Sequence, residues 1–361
     1  MSWAKWLPLR ADLQKLSPYG APQVRATATL NTNENPYPPS PQLQSAITDA
    51  VQETVGTLNR YPDRDATQLR AALAGYINEA SKTHLTANNL WAANGSNEII
   101  QSLFLAFGGQ SAVGFIPSYS MHPLIAKVAG TSWINGGRNL DFTFNLDMAI
   151  AQINLHKPVL TFITTPNNPT GDSIALSDIE VLAKTVGLHG GLLIVDEAYA
   201  EFSSQESAVT LIDAHPHLML IRTMSKAFAF AGARVGYLIA DPLVIDSMML
   251  VRLPYHLSAI TQAIAVVALD HRTELLNNVK TLIQAREGLV KALNTLGLTT
   301  LPSEANFILF TGFSATSPEL WGQLLEKGIL IRDVGLSSYL RVTVGTEAEN
   351  KAFIKALTEL L

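Results

Sequence analysis

The chain has 361 residues and a net charge of −5; 47% of its residues are hydrophobic, 15% are charged and none is cysteine. This length predicts one large and one smaller domain, with enough apolar residues for a sizeable core. The composition excludes disulfides and thiolate metal sites and argues against long disordered stretches. Because the basic residues are scattered, it also argues against nucleic acid as the main partner.

The N-terminal stretch, MSWAKWLPLRADLQKL, lacks the apolar core of a signal peptide. The longest apolar runs, such as Ala263–Leu269, are far too short to cross a bilayer. We therefore expect a cytoplasmic protein without a membrane partner. Residues 1–35 are rich in Pro and Asn, which predicts an irregular arm, and we expect this arm to pack against a small C-terminal domain.

Apolar residues at helical spacing predict two helices early in the chain. The first, over residues 65–80, is indicated by Leu69, Leu73, Tyr76 and Ile77. The second is indicated by Ile99, Ile100, Leu103, Phe104 and Phe107. Gly108 and Gly109 are expected to end this second helix.

Short, uniformly apolar runs then alternate with helical patterns, which is typical of strands buried on both faces of a mostly parallel sheet flanked by helices. These runs are Ala112–Ile116, Val159–Ile163, Leu192–Val195, Leu218–Ile221 and Val235–Ile239. After residue 270 a long helical stretch leads to further runs at Phe307–Phe310, Ile329–Ile331 and Leu340–Val344. The predicted fold class is α/β, with a large domain over 36–269 and a smaller α+β domain over 270–361.

Polar motifs follow several of these runs. They are Asn94-Gly-Ser-Asn-Glu, Pro166-Asn-Asn-Pro-Thr-Gly171, Asp196-Glu-Ala-Tyr199 and Thr223-Met-Ser-Lys-Ala-Phe. In an open α/β sheet, ligands bind outside the carboxyl ends of the strands. The motifs are therefore expected to converge on one ligand, although their placement alone does not name it.

The residue types in these motifs narrow the chemistry. Lys226, just after a buried strand, can be desolvated into a neutral nucleophile suited to forming an imine. A carboxylate at a strand end, such as Asp196, is costly without a cationic partner, and a protonated pyridine nitrogen is one. Thr223, Ser225 and Arg234, with the expected helix start at residues 95–97, are able to form a phosphate cup.

With these motifs in this order, the sequence resembles the fold-type I pyridoxal-5′-phosphate (PLP) aminotransferases and, among them, the histidinol-phosphate aminotransferases of the actinobacterial kind. The resemblance runs from about residue 9 to about residue 350. The matching stretches are Leu30-Asn-Thr-Asn-Glu-Asn-Pro-Tyr-Pro-Pro, Arg60-Tyr-Pro-Asp-Arg-Asp, Trp91-Ala-Ala-Asn-Gly-Ser-Asn-Glu-Ile, Pro117-Ser-Tyr-Ser-Met-His-Pro, Val195-Asp-Glu-Ala-Tyr-Ala-Glu-Phe, Arg222-Thr-Met-Ser-Lys-Ala-Phe-Ala-Phe-Ala-Gly, Val251-Arg-Leu-Pro-Tyr-His-Leu-Ser and Ile331-Arg-Asp-Val-Gly.

The resemblance implies a role for each site residue. Lys226 forms a Schiff base with PLP and then moves a proton, Asp196 pairs with the ring nitrogen, Tyr199 and Asn168 bond the phenolic oxygen, and Tyr119 stacks on the ring. Gly95, Ser96, Asn97, Thr223, Ser225 and Arg234 hold the phosphate, which Tyr61 reaches from the partner subunit of a homodimer with composite active sites. The substrate is bound by Tyr19, Asn35, Tyr255, Arg332 and Arg341. One departure is Ala233, where related sequences often have Gly.

The implied reaction converts L-histidinol phosphate and 2-oxoglutarate to imidazole-acetol phosphate and L-glutamate, in histidine biosynthesis. An aromatic amino-acid (phenylalanine) aminotransferase on the same scaffold is the alternative. A PLP-binding regulator is less favoured because no segment remains for a DNA-binding domain, and a decarboxylase because an anion site suits transamination. His84, His122 and His256 lack metal-ligand spacing, so no metal site is predicted.

Overall fold

The computed structural model describes residues 3–4, 6–18 and 20–361. The strands are β1 (Ala28–Thr29), β2 (Leu90–Ala93), β3 (Ser111–Phe115), β4 (Ser132–Gly136), β5 (Leu160–Thr164), β6 (Leu192–Asp196), β7 (Leu218–Thr223), β8 (Gly236–Ile239), β9 (Thr299–Thr300), β10 (Phe307–Thr311), β11 (Ile329–Leu330) and β12 (Leu340–Thr343). The helices are α1 (Pro41–Val55), α2 (Thr67–Ser81), α3 (Ser96–Phe107), α4 (Met121–Ala129), α5 (Leu146–His156), α6 (Leu176–Gly187), α7 (Pro242–Val251), α8 (Ala259–Asp270), α9 (Arg272–Thr295), α10 (Ser317–Glu326) and α11 (Glu347–Thr358).

A seven-stranded sheet in the order β2-β8-β7-β6-β5-β3-β4 carries most of the large core. The pairs from β7 through β6, β5 and β3 to β4 are parallel, whereas β8 runs antiparallel to both β7 and β2. The predicted mostly parallel sheet is therefore confirmed. The run Val235–Ile239 contains β8, which is antiparallel because it returns directly from β7 without a crossover α-helix.

The central strands are buried on both faces, because their alternate residues point into two different hydrophobic clusters. In β6, Leu193 and Val195 belong to one cluster and Ile194 belongs to the other. Helices α2, α5, α6 and α8 contribute to the first cluster, and α3, α4 and α7 contribute to the second. This arrangement explains why the strands read as continuous apolar runs rather than as alternating patterns.

The two early helices are confirmed, with α2 and α3 covering the expected stretches and Gly108 capping the end of α3 after Phe107. Local signals set other helix starts. The Ser40 hydroxyl accepts a hydrogen bond from the Leu43 N–H at the start of α1, and Thr316 and Glu319 form a reciprocal capping box at α10. Within the described part of the chain, every helix is too short or too polar to pass through a membrane.

The C-terminal part carries a second core around the antiparallel strands β9, β10 and β12. The end of the N-terminal arm contacts this part, since β1 pairs in parallel with β11 and the Leu30 carbonyl accepts a hydrogen bond from the Thr343 N–H at 2.9 Å. Helix α9 connects the large sheet with this C-terminal core. Its Leu275 packs in the first cluster of the large sheet, and its Leu293 packs in the C-terminal core. The division at residues 35 and 270 stays a prediction.

Candidate active site

A cavity of about 440 Å³ opens at the carboxyl ends of the parallel strands, where the polar motifs were expected to meet. The N-terminal segment around Thr32 and the β11–β12 region close its other side. Most of the predicted site residues line it. These are Ser96, Asn97, Tyr119, Asn168, Asp196, Tyr199, Thr223, Ser225, Lys226, Arg234, Arg332 and Arg341.

Lys226 lies in the loop after β7, and its Nζ donates a hydrogen bond to the Thr32 carbonyl at 2.8 Å. The pKa of the Lys226 ammonium falls from 10.5 to about 8. Burial is the largest cause, the positive charge of Arg341 is the second, and Arg234 adds less, while the Glu34 carboxylate opposes them. The neutral amine is therefore accessible near pH 8, as a nucleophile that attacks an aldehyde requires.

Asp196 ends β6 with only 2% of its surface exposed. One carboxylate oxygen lies 3.0 Å from His122 Nε2, and the other accepts a hydrogen bond from the Ala198 N–H at 3.2 Å. His122 is itself buried on α4, and its ring packs edge-on against Tyr119. The carboxylate is thus held in one orientation at the cavity wall, where it can accept a hydrogen bond from a protonated ring nitrogen.

The start of α3 and the Arg234 guanidinium lie against each other at one end of the cavity. Gly95 has a φ of +84° at this helix start, and a Cβ there would lie 2.5 Å from Arg234 Nη2. Gly236 is equally restricted, because a Cβ there would lie 2.5 Å from the Ser96 backbone nitrogen. Two glycines therefore let the guanidinium and β8 approach the free N–H groups of the helix, which together form an anion cradle.

Hydroxyl groups complete the cradle from the β7 side. Thr223 Oγ1 donates to Ser225 Oγ at 2.9 Å and accepts from the Ser225 N–H at 3.1 Å. Both residues are buried, yet both line the cavity. A helix N-terminus, hydroxyls and a guanidinium are the donors that bind phosphate in proteins.

Three further side chains surround the space between Asp196 and the cradle. The Tyr119 hydroxyl donates to Asn97 Oδ1 at 3.2 Å. The Tyr199 hydroxyl accepts a hydrogen bond from Asn33 Nδ2 at 2.8 Å. Asn168 lines the cavity from the loop after β5. Their placement is compatible with the ring and phenolic-oxygen contacts that the resemblance implies.

Two arginines enter the cavity from the C-terminal part. Arg341 Nη1 donates to Asn168 Oδ1 at 2.5 Å, and its Nη2 donates to the Asn31 carbonyl at 2.7 Å. The guanidinium also lies 5.1 Å from the centre of the Phe307 ring. Arg332 is joined to Arg341 through a β-bridge, with both backbone N–H to carbonyl distances at 2.9 Å. The two cations are therefore neighbours, as an anionic substrate group requires.

The structure does not bring every predicted residue to this cavity. Tyr61 and Tyr255 stack on each other with ring centres 4.3 Å apart, and 79% and 40% of their surfaces are exposed. Asn35 bonds the backbone instead, donating to the Ala227 carbonyl at 3.3 Å and accepting from the Tyr37 N–H. Its predicted contact with the substrate stays a prediction. Tyr19 lies outside the described residues.

A buried ion pair, which the sequence analysis did not single out, lies on the opposite face of the sheet. Arg222 Nη2 is 2.7 Å from Glu197 Oε2, and both residues are at least 96% buried. Each is the direct neighbour of a cavity residue, since Glu197 follows Asp196 and Arg222 precedes Thr223. Glu201 Oε1 also lies 3.8 Å from Arg222 Nη1, so removing Arg222 would leave two buried carboxylates without their cation.

Comparison with known proteins places this geometry in context. The sequence profile of the family described as aminotransferase class I and II matches residues 27–357. The histidinol-phosphate aminotransferase of Mycobacterium sp. (strain JLS) is 52% identical over 358 residues, which cover 98% of this chain and 94% of the relative. That of Mycolicibacterium smegmatis is 52% identical over 357 residues, which cover 98% and 93%.

Among solved structures, the histidinol-phosphate aminotransferase of Sinorhizobium meliloti in complex with pyridoxal-5′-phosphate is similar, with a TM-score of 0.86. The match covers 98% of this chain and 97% of that one, at 21% sequence identity. At this identity the structural match supports only the fold. Any inference about activity rests on the sequence relatives instead.

Proposed function

Because this chain belongs to the class I and II aminotransferase family, we propose that it transfers the amino group of L-histidinol phosphate to 2-oxoglutarate. The products are imidazole-acetol phosphate and L-glutamate, and the reaction is a step of histidine biosynthesis. Its fold is that of the fold-type I PLP aminotransferases, and its cofactor is PLP. The observation that carries the proposal is that relatives named for this reaction match nearly the whole chain.

The cavity fits this cofactor. A Cβ at Gly95 would collide with Arg234, so the glycine keeps the phosphate cradle open. Asp196 supplies the acceptor for a protonated ring nitrogen at the other end. When bound, PLP supplies an aldehyde and an electron-withdrawing ring that makes the substrate Cα–H acidic. We assign Ser96, Asn97, Thr223, Ser225 and Arg234 to its phosphate.

Lys226 has two tasks in this proposal. Its neutral amine would hold the cofactor aldehyde covalently, and its lowered pKa of about 8 makes that form accessible. When free, the same Nζ would lie in the cavity, where it could accept a proton from the substrate Cα and return it. A base with a pKa near the working pH serves both directions of proton transfer.

His122 helps to hold the Asp196 carboxylate in a fixed orientation in the cavity. The His122 contact at 3.0 Å and the Ala198 N–H at 3.2 Å hold the carboxylate in place without blocking the cavity. A carboxylate fixed in advance against a positive ring nitrogen requires no reorganisation during the reaction.

The two arginines explain how one site accepts two different anions. Histidinol phosphate carries a phosphate monoester, and 2-oxoglutarate carries a second carboxylate. A guanidinium fork binds either group, and Arg332 and Arg341 are neighbours through their β-bridge. We infer that both contact the phosphate of the amino donor.

We infer a cytoplasmic homodimer in which Tyr61 of the partner subunit reaches the cofactor phosphate. The exposed stack of Tyr61 on Tyr255 supports an interface, because exposed aromatic surface is typical of contact sites. Mixing inactive Lys226→Ala protein with Tyr61→Phe protein should restore activity, since one site of each mixed dimer has both wild-type residues. Full activity of a monomer in dilute solution would contradict the composite site.

A paired assay tests the substrate. The purified protein is given histidinol phosphate or phenylalanine as amino donor, with 2-oxoglutarate as acceptor, and kcat/KM is measured for each. The proposal expects histidinol phosphate to be the better donor. If phenylalanine is better, the protein is an aromatic amino-acid aminotransferase.

A further inference from the structure

Asn33 connects Tyr199 to strand β12 and is almost completely buried, with 1% of its surface exposed. Its Nδ2 lies 2.8 Å from the Tyr199 hydroxyl. On the other side, its Oδ1 and its backbone nitrogen each lie 3.0 Å from Thr343 Oγ1. Its φ of +56° is a conformation that Asn adopts more readily than most residues. The Asn33 carbonyl also accepts a hydrogen bond from Asn306 Nδ2 at 3.0 Å.

The direction of each hydrogen bond between Thr343, Asn33 and Tyr199 follows from the Asn33 backbone N–H. A backbone N–H can only donate, so Thr343 Oγ1 accepts from Asn33 N–H, and the threonine proton goes to Asn33 Oδ1. The Asn33 carbonyl oxygen therefore faces Thr343, and its NH₂ group faces Tyr199. Since an NH₂ group only donates, the Tyr199 oxygen accepts and directs its own proton to a different acceptor.

We propose that Asn33 and Thr343 are positioning residues that make Tyr199 a hydrogen-bond donor toward the phenolic oxygen of the bound cofactor. Tyr199 and Asn33 line the cavity, whereas Thr343 does not, so in this Thr343–Asn33–Tyr199 relay the threonine acts on the cofactor only through the other two residues. This inference rests on the proposed function only in requiring the PLP site.

The relay also reaches the substrate anion site. Thr343 and Arg341 are two residues apart on β12, so their side chains leave the strand on the same face. Arg341 contacts the backbone of Asn31, and Thr343 contacts Asn33. One short segment, residues 31–33, is thus held by the same strand that presents the substrate arginine.

A donor at the phenolic oxygen has a measurable consequence for Lys226. The anionic oxygen favours protonation of the nitrogen that links Lys226 to the cofactor, and a donated hydrogen bond weakens this effect. If Asn33 is no longer oriented, its Oδ1 can compete for the Tyr199 proton, and the pKa of the Lys226 nitrogen should rise. The pH at which the visible absorbance of the holoenzyme changes reports this pKa without any substrate.

Thr343→Val is the primary test, because it keeps the β-branched shape suited to a strand and removes only the hydroxyl function. We expect the absorbance transition to move upward by about one pH unit, the size expected for one hydrogen bond to a charged oxygen. Thr343→Ser keeps the hydroxyl and should titrate like the wild type. Thr300→Val removes a hydroxyl that bonds Asn294 away from the cavity and is the matched control.

Asn33→Asp gives an independent test, because Asp tolerates the same backbone conformation and a carboxylate only accepts. The transition should rise here too, and the change should add nothing in a Tyr199→Phe background. A rise that persists in that background would show that the new charge acts directly on Lys226 and would overturn the relay. The charged groups Arg341, Arg234 and Glu34 stay unchanged in every variant.

Circular dichroism establishes that each variant is folded before its titration is interpreted. A folded Thr343→Val protein that titrates like the wild type, or a Thr343→Ser protein that shifts equally, would also overturn the inference. Because the absorbance titration contains no substrate, its result can be interpreted even if the histidinol phosphate proposal fails. That proposal fails in the turnover assay instead.

Discussion

Replacing Asp196 by Asn is the sharpest perturbation of the proposed mechanism, because it removes one charge and almost no volume. The amide oxygen can still accept the hydrogen bond from the Ala198 N–H. The interaction that is lost is the electrostatic attraction between the carboxylate and a protonated ring nitrogen of the cofactor. At a hydrogen-bonding distance of about 3 Å and an effective dielectric constant of about 20, this attraction is about 5.5 kcal/mol.

Removal of a preorganised electrostatic contact typically costs about 3 kcal/mol, so the two figures bracket the effect. We therefore expect kcat to fall by about 10²- to 10⁴-fold while PLP remains bound. Turnover is measured with saturating histidinol phosphate and 2-oxoglutarate, and retained cofactor is measured by absorbance after dialysis. Asp213→Asn, at an exposed position outside the cavity, is the control. A kcat within about twofold of wild type would refute the reasoning and leave Asp196 with a local turn role.

Three further predictions follow from the cavity. Lys226→Ala should abolish turnover and the bond to the cofactor that borohydride fixes; near-normal transamination would exclude Lys226 from the mechanism. Because the folded pKa of Lys226 is about 8, below the ordinary 10.5, its neutral fraction and the rate of covalent PLP attachment to the apoenzyme should rise up to about pH 8 and then level off; a rise continuing to pH 10 would contradict the lowered pKa. Arg332→Ala should reduce kcat/KM for histidinol phosphate about 10- to 100-fold more than for phenylalanine, since a charged hydrogen bond contributes about 1.5–3 kcal/mol; equal losses would indicate a structural role.

The large sheet was predictable where a strand is buried on both faces, because such strands carry an unbroken apolar run. Strand β4 was missed, because Ser132–Gly136 is a half-exposed edge strand with polar residues. The sequence analysis assigned no direction to Val235–Ile239, although about a dozen residues without an α-helix separate β8 from β7. Such a connection favours an antiparallel return.

Several of the cavity residues that the sequence analysis identified, such as Ser96, Asp196 and Lys226, stand at or just after the end of a strand or at a helix start, where chain position alone predicts convergence. The residues that orient them have no such marker. His122 contacts Asp196 across 74 residues, and Asn33 contacts Tyr199 across 166 and Thr343 across 310. Each is a polar side chain whose role depends on which group it faces and which of its atoms donates. Only packing sets that relation, so a residue pattern can locate the reacting groups of this site while the hydrogen-bond directions that prepare them appear only in three dimensions.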